Sequence, residues 1–395
     1  MVVRPEELNN KDSENKEGSE EKASKETESE TSSDEKMSLM DKINDFLLIF
    51  SRIPLSEKLF FVQNLGIMLK AGISLSISLK TLTKQTSNKK FAKIIQDISN
   101  NVEKGVSFTE SLKPHENVFG ILFINMIESG EISGKLEEVL TQLYIQMKKN
   151  HELISKVKGA LTYPVVILVA MIGIGTFMMV SIVPKITVMF RDLDAELPLA
   201  TKIVISMSDA LSQHGILAAI MLIFTVLLII RIYKTDKGKS FFHNILLRTP
   251  IIGPIVKKVN IAKFSRTVSS LLKTDIMIVK TFEITAGVLG NVYYRQALNE
   301  MSEKVQKGGS IYEIISNYEN LFPPVVIQMI SVGEETGELA YILEELAQFY
   351  EGEVDEIMNS LPSIIEPILI LVLGSAVGVM AVAIMMPMYS IGSAI

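Results

Sequence analysis

Residues 124–140 (INMIESGEISGKLEEVL) stand over residues 327–343 (IQMISVGEETGELAYIL) at an offset of 203, and eight of the seventeen positions are identical. The same offset pairs Phe61 with Phe264, Leu69-Lys70 with Leu272-Lys273, Lys104-Gly105 with Lys307-Gly308, Ser107 with Ser310 and Phe119 with Phe322. It continues without a gap into charge-free sequence, where Pro164 meets Pro367, Gly175 meets Gly378 and Pro184 meets Pro387. Chance matches of short motifs drift in register, so a constant offset marks duplication of a whole structural unit. That unit contains a polar part and an apolar part, and the chain must accommodate both twice.

The apolar parts are long enough to cross a bilayer. Residues 165–183 carry no charge and lie between Pro164 and Pro184, residues 210–230 are charge-free with His214 neutral, and no charged side chain follows Glu366 through to Ile395. A hydrocarbon core of about 30 Å takes about 20 helical residues, and a helix satisfies its own backbone there. The composition agrees: 48% of residues are hydrophobic while charged residues make up only 21%, and the mean hydropathy is +0.31. Basic residues near span ends set orientation. Lys148, Lys149, Lys156 and Lys158 precede the first run and Arg231, Lys234, Lys237 and Lys239 follow the second, whereas the connecting segment mixes Lys185, Arg191 and Lys202 with Asp192, Asp194, Glu196 and Asp209. The expected topology places the N-terminus and both domain-sized pieces in the cytosol, and the C-terminus outside.

The resulting expectation is an all-α protein with two duplicated antiparallel helical bundles in the cytosol and three transmembrane helices. Its parts are a disordered acidic tail (1–36), a linker or amphipathic helix (37–54), a first bundle (55–160), a first span (161–184), an extracytoplasmic segment (185–209), a second span (210–233), a second bundle (258–363) and a third span (364–390). Leu136, Val139, Leu140, Leu143, Tyr144 and Met147 share one helical face, and strand alternation is weak. The tail holds six basic and twelve acidic residues, which accounts for the whole net charge of −6. Such a composition cannot bury enough apolar surface to order itself. No cleavable secretory signal is expected, because the first apolar run follows polar sequence.

The repeated Gly-Glu-x-Ser/Thr-Gly element is the candidate site. Gly130 and Gly333 are expected to end a helix in the left-handed conformation. Ser133 and Thr336 are expected to cap the next helix, with Glu131 and Glu334 near its positive end. Gly134 and Gly337 close the element. It reads either as a plain hairpin turn or as a partner-contact turn with its carboxylates exposed. The long helix after each turn is expected to run into the membrane; in the first copy nothing breaks it from Leu136 until Gly159, and Tyr163-Pro164 then opens the span. A stiff helix continuous with a span can carry displacement from bundle to bilayer. The second bundle, flanked by spans on both sides, is expected to be the more rigidly held.

These residues resemble the type II secretion system protein F and type IV pilus platform family. The likeness rests on the paired bundles, the three spans, the Gly-Glu-x-Ser/Thr-Gly turns, Leu69-Lys-Ala-Gly72-Ile-Ser-Leu75, and Lys156-x-x-x-Ala160-x-x-Tyr163-Pro164, with Glu366-Pro367 at the matching place in the second copy. It covers about residues 55–393. The resemblance implies an inner-membrane platform above a cytosolic hexameric assembly ATPase, passing the motion of that motor to pilin or pseudopilin helices. It also implies other inner-membrane machinery proteins as partners, the lipid bilayer as surroundings, and self-association into a homo-oligomer. No nucleic acid is implied. Asp275 replaces Gly72, Glu366 replaces Tyr163, and the acidic tail stands where secretion-type members carry a small domain, which favours a pilus-type member.

Enzymatic readings find no support in the sequence. Lys237-Gly238-Lys239-Ser240 ends like a P-loop, but Tyr233 occupies the place of its first Gly. The absence of Cys excludes thiolate metal sites and Cys nucleophiles. His115, His151, His214 and His243 lack metal-ligand spacing, and the acids Glu128, Glu131, Glu137 and Glu138 read as a solvated turn. Neither cofactor nor catalytic residue is expected. Gly173, Gly175, Gly374 and Gly378 suit close helix approach in the membrane. A small transporter or channel subunit, or a membrane-anchored signalling scaffold, is the alternative.

Overall fold

The computed structural model describes residues 53–191, 199–250 and 252–392. The acidic tail, nearly all of the 37–54 linker and residues 192–198 of the expected extracytoplasmic segment lie outside the described residues. Two compact units divide the chain, Met1–Ser107 and Phe108–Ile395, and the division falls inside the 55–160 stretch.

In the first unit, α1 (Leu55–Lys70), α2 (Leu75–Gln85) and α3 (Lys89–Glu103) follow one another through short turns. Ser74 and Asn88 cap α2 and α3 by accepting from the amides of Ile77 and Phe91. Gly72, at φ 79°, takes the left-handed step that ends α1. Phe61, Val62 and Leu65 of α1, Leu79 and Leu82 of α2, and Phe91, Ile95 and Ile98 of α3 are buried. Phe61 and Phe91 meet edge to face at 5.6 Å.

The second unit begins with α4 (Phe108–Leu112), a 3-10 turn (Lys113–His115), α5 (Glu116–Phe119), α6 (Ile121–Ser133) and α7 (Leu136–Phe177). A π-turn (Met178–Ile182) leads into α8 (Val183–Arg191), followed by α9 (Leu199–Tyr233) and α10 (Asp236–Arg248). The second copy is built from α11 (Ile252–Leu272), α12 (Ile278–Val288), α13 (Val292–Gln306), α14 (Ile311–Ile315), a 3-10 turn (Ser316–Tyr318), α15 (Pro324–Thr336) and α16 (Leu339–Gly392). Both ends of α2, α3, α4 and α6 recur 203 residues later as the ends of α12, α13, α14 and α15. The duplication is therefore structural as well as sequential, and no strand occurs among the described residues. The core of the second copy is continuous from Ile261 to Met358, and Leu153 of α7 joins it. At its centre Phe322 stacks edge-on against Phe264 and Tyr294, each at 5.3 Å.

Two helical stretches are long and apolar enough to cross a membrane, Leu136–Val188 (53 residues) and Leu339–Ala383 (45 residues). In each, polar stalk and apolar span form one uninterrupted helical path, through Pro164 in the first and Pro367 in the second. Pro184 has no amide to donate, and its ring would press on the carbonyl four residues back. The π-turn answers this: the amide of Val183 reaches five residues back, to Met178, and the wider turn makes room. The second span, expected as one helix over 210–233, differs from a straight helix. Its two arms, Thr201–Gly215 and Ala219–Tyr233, are bent by 79° and make a third span only when counted together. His214 has φ −121° and ψ 18° at the break, beside Gly215, where backbone distortion is cheap.

The spans touch through small polar groups. Thr201 Oγ1 donates to the Ala383 carbonyl at 2.7 Å and Ser208 Oγ to the Met179 carbonyl at 2.5 Å. Val183, Val204 and Ala383 are buried together beside these bonds. By contrast, a Cβ placed on Gly173, Gly175, Gly374 or Gly378 would meet nothing within 4 Å, so among the described residues no helix uses those positions for close approach.

Candidate functional site

The repeated turn is built differently from its sequence reading. The left-handed residues are Gly134 (φ 70°) and Gly337 (φ 77°), while Gly130 and Gly333 lie inside α6 and α15, buried. They are glycines because the following helix crosses close over them. A Cβ on Gly130 would lie 2.8 Å from Val139 Cγ2 and 3.2 Å from Leu136 Cα, and one on Gly333 would lie 3.0 Å from Leu339 Cα. Ser133 and Thr336 do not cap the next helix as expected. Their hydroxyls donate backwards, to the carbonyls of Ser129 (2.8 Å) and Val332 (2.7 Å), as mid-helix Ser and Thr often do. Only a 3.4 Å approach of the Glu338 amide to Thr336 Oγ1 points forward.

Glu131 and Glu334 also turn away from the expected helix. Glu131 accepts from the amides of Phe108 (2.7 Å) and Thr109 (2.9 Å) and from Thr109 Oγ1 (2.6 Å). Glu334 accepts from the amides of Ile311 (2.7 Å) and Tyr312 (2.9 Å) and from Ser310 Oγ (2.9 Å). Each carboxylate caps the N-terminus of a one-turn helix, α4 or α14, more than twenty residues earlier. It satisfies amides that have no helical partner and places negative charge at the positive end of that helix. The Gly-Glu pair thus fixes two packings at once: glycine lets the hairpin close, and glutamate ties it to the preceding short helix.

The two turns have different surroundings. In the first copy Ser129 Oγ donates to the Thr274 carbonyl at 2.6 Å and Lys135 Nζ pairs with Asp275 at 2.9 Å. The turn is docked on the loop between α11 and α12, over a shallow cavity of about 350 Å³ lined by Ser129, Ile132, Asp275, Met277 and Lys280 among others. Asp275 holds φ 60° where its counterpart Gly72 holds φ 79°, so the substitution preserves the left-handed step and adds a partner for Lys135. The tips of both turns are exposed, Ile132–Lys135 in the first copy and Glu335–Glu338 in the second; the docking contacts are what set the first apart.

A polar seam joins α7 to α11 and α16. Gln146, 4% exposed, donates to Thr267 Oγ1 (2.9 Å) and accepts from Ser270 Oγ (3.1 Å). Arg266, 6% exposed, grips both oxygens of Glu351 at 2.8 and 2.9 Å, the bidentate fit that suits a buried guanidinium. Lys273 pairs with Glu344, Lys258 with Glu353, and Lys156 with Asp355. Burial, and then the charge of Arg266, lower the pKa of Lys273. A groove of about 490 Å³ runs between these side chains. Its carboxylates face cations, and among the described residues no group of three or more His, Asp or Glu is placed to hold a metal ion.

Of the residues expected at the membrane boundary, Lys156 clasps α7 to α16 and Ala160 packs on the second core. Pro164 is half-buried within α7, while Tyr163, Glu366 and Pro367 are exposed. The sequence reading missed Gln146, Arg266 and Glu351. Gln146 could have been found, because it sits on the helical stripe of Val139 and Leu143, where an apolar side chain is expected.

Two copies of an all-helical unit, each sending a stalk helix into an apolar span, define a duplicated membrane scaffold. The chain belongs to the family described as Type II secretion system (T2SS), protein F, which matches residues 61–184 and 264–387. It is 35% identical over 338 residues to the type IV pilus assembly protein PilC of Thermus thermophilus, covering 85% of this chain and 83% of that protein. The protein of the same name from Myxococcus xanthus is 32% identical over 346 residues, covering 88% and 83%. The type II secretion system protein F of Aeromonas hydrophila is 27% identical over 351 residues, covering 89% and 90%.

Proposed function

We propose that this chain is the inner-membrane platform of a type IV pilus-type assembly machine, coupling a cytosolic hexameric ATPase to the polymerisation of pilin. The observation that carries this reading is the continuity of α7 and α16 from packed bundle into apolar span. A helix without a joint transmits a push or a twist that a loop would absorb. The seam of Gln146, Arg266 and Lys156 then makes the two stalks move as a pair. The identities of 35% and 32% to two proteins named for pilus assembly, against 27% to a type II secretion system protein F, support the pilus assignment.

In this proposal both bundles face the cytosol, the chain spans the membrane three times, and the C-terminus lies outside. The turn Gly333–Gly337 of the second copy, exposed at Glu335, Thr336 and Gly337, meets the motor or another cytosolic partner. The matching turn Gly130–Gly134 is already engaged with the α11–α12 loop. The spans meet pilin helices, lipid, other inner-membrane components and further copies of the chain. No catalytic role is assigned to any residue.

The test is to delete the gene, restore it intact, and restore it with three glycines inserted after Lys158 or after Ser360. The deletion should abolish surface filaments. The insertion variants should reach the membrane in normal amount yet remain bald, and the intact protein should co-purify with the ATPase. Normal filaments without the gene would end the platform reading, and normal filaments with both insertions would end the rigid-stalk mechanism.

A further inference from the structure

The P-loop-like Lys237-Gly238-Lys239-Ser240 lies in α10, immediately after the second arm of α9, and its surroundings suggest a different use. Only Lys234 and Thr235 separate the two helices. Thr235 Oγ1 donates to the Ile232 carbonyl at 2.7 Å and accepts from the Gly238 amide at 3.1 Å. A Cβ on Gly238 would lie 1.9 Å from the Ile232 oxygen, so only glycine lets the chain fold back this sharply. With Ala219–Tyr233 embedded in the bilayer, α10 starts at the bilayer surface.

The two faces of α10 are unlike. On one, Ser240 meets the Tyr293 hydroxyl at 3.1 Å, His243 Nδ1 accepts from the Val292 amide at 3.2 Å, and Leu247 packs on the second core. On the other, Phe241 is 62% and Ile245 44% exposed, one helical turn apart, with Lys237 a turn before and Arg248 a turn after. Lys234 precedes them in the connecting turn. Among the described residues these three cations form no ion pair with an acid of the chain, and all are exposed. Two apolar side chains between basic ends form the pattern by which a helix lies in an interface, burying its rings and methyls while the cations reach headgroups.

We propose that α10 is an interfacial helix, with Phe241 and Ile245 in the acyl boundary and Lys234, Lys237 and Arg248 on the headgroups of anionic phospholipid. The bilayer is the favoured occupant because α9 already delivers α10 to it, so covering the face costs no separate association. Its cations match the negative surface of such a membrane. The helix then clamps the second bundle to the bilayer through Ser240, His243 and Leu247. This holds whichever machine the protein serves.

The chain has no tryptophan, so a single indole reports its own surroundings. Full-length Phe241→Trp protein is reconstituted in phosphatidylcholine vesicles with or without phosphatidylglycerol, each made with plain or acyl-brominated lipid. Phe349→Trp, at a position 57% exposed on the stalk α16, is the control, and far-UV circular dichroism verifies the fold. The expected result is blue-shifted emission that brominated lipid dims at position 241 but not at 349. Adding Lys237→Gln and Arg248→Gln should remove the part of that dimming that depends on phosphatidylglycerol. Water-like, undimmed emission at position 241 overturns the proposal, as does a blue shift without dimming, which would mean that protein covers this face. Dimming indifferent both to phosphatidylglycerol and to the two charge removals overturns the assignment to anionic headgroups.

Discussion

At the scale of single residues, the repeated turn depends on two glycines with different duties. Gly134 and Gly337 supply a backbone angle, whereas Gly130 and Gly333 supply space. Gly333→Ala pushes a methyl group against the Leu339 backbone, which cannot swing aside as a side chain end can. The expected cost is about 1–3 kcal/mol, the usual range for an overpacked contact, read as a lower midpoint in denaturant unfolding. An unchanged midpoint would mean that the hairpin is looser than the structure shows. Asp275→Gly is expected to do the opposite. It removes left-handed strain of about 1–2 kcal/mol and loses only a solvent-screened surface pair with Lys135. The variant should therefore be neutral or slightly more stable. A clear loss of stability would show that the Lys135 contact, and not backbone geometry, explains the aspartate.

At the scale of elements, α16 is the longest, at 54 residues, which at 1.5 Å per residue is about 80 Å. The first stalk was foreseeable, because Leu136–Lys158 holds no Gly or Pro, and the second followed from the 203-residue repeat although Gly352 and Pro362 lie within it. The bend in α9 was not foreseeable, since His214-Gly215 sits in a run whose composition alone satisfies a straight span. The contact between α9 and α16 joins one hydrogen bond, from Thr201 to a carbonyl, to the apolar packing of Val204 on Ala383. Thr201→Val keeps the shape and removes the bond. The expected loss is about 0.6–2 kcal/mol, as for other hydrogen bonds between membrane helices, seen as an earlier transition in detergent-mediated unfolding. No change would show that apolar packing alone holds these helices.

At the scale of the whole molecule, the second copy concentrates tyrosines whose ionisation the fold resists. Burial raises Tyr294, whose hydroxyl donates to the Leu321 carbonyl, and the nearby Tyr350 raises it further. Burial, followed by the Glu300 carboxylate that its hydroxyl bonds, raises Tyr318 to about 12. Burial, followed by the charge of Glu353, raises Tyr350. A folded pKa above the unfolded value of about 10 favours the native state while the group stays protonated. This stability is complete below about pH 10 and is lost as pH rises through about 12. Tyrosinate absorbance should therefore lag in the native protein, then rise together with loss of helical circular dichroism. Full ionisation near pH 10 with the helix intact would contradict the packing of this core.

The sequence by itself determined the plan: helices throughout, one unit used twice at a fixed offset, and apolar runs that only a membrane accommodates. These follow from periodicity, spacing and hydrophobicity, which are properties of residues near one another along the chain. The tertiary structure decided the partners. Glu131 turns back to Phe108 and Thr109, Gly130 yields to Val139, Gln146 finds Thr267, and Arg266 finds Glu351. Each of these depends on which helix faces lie opposite once the units pack, and a hydrogen bond or a close approach carries no mark in the local sequence of where its second half will come from.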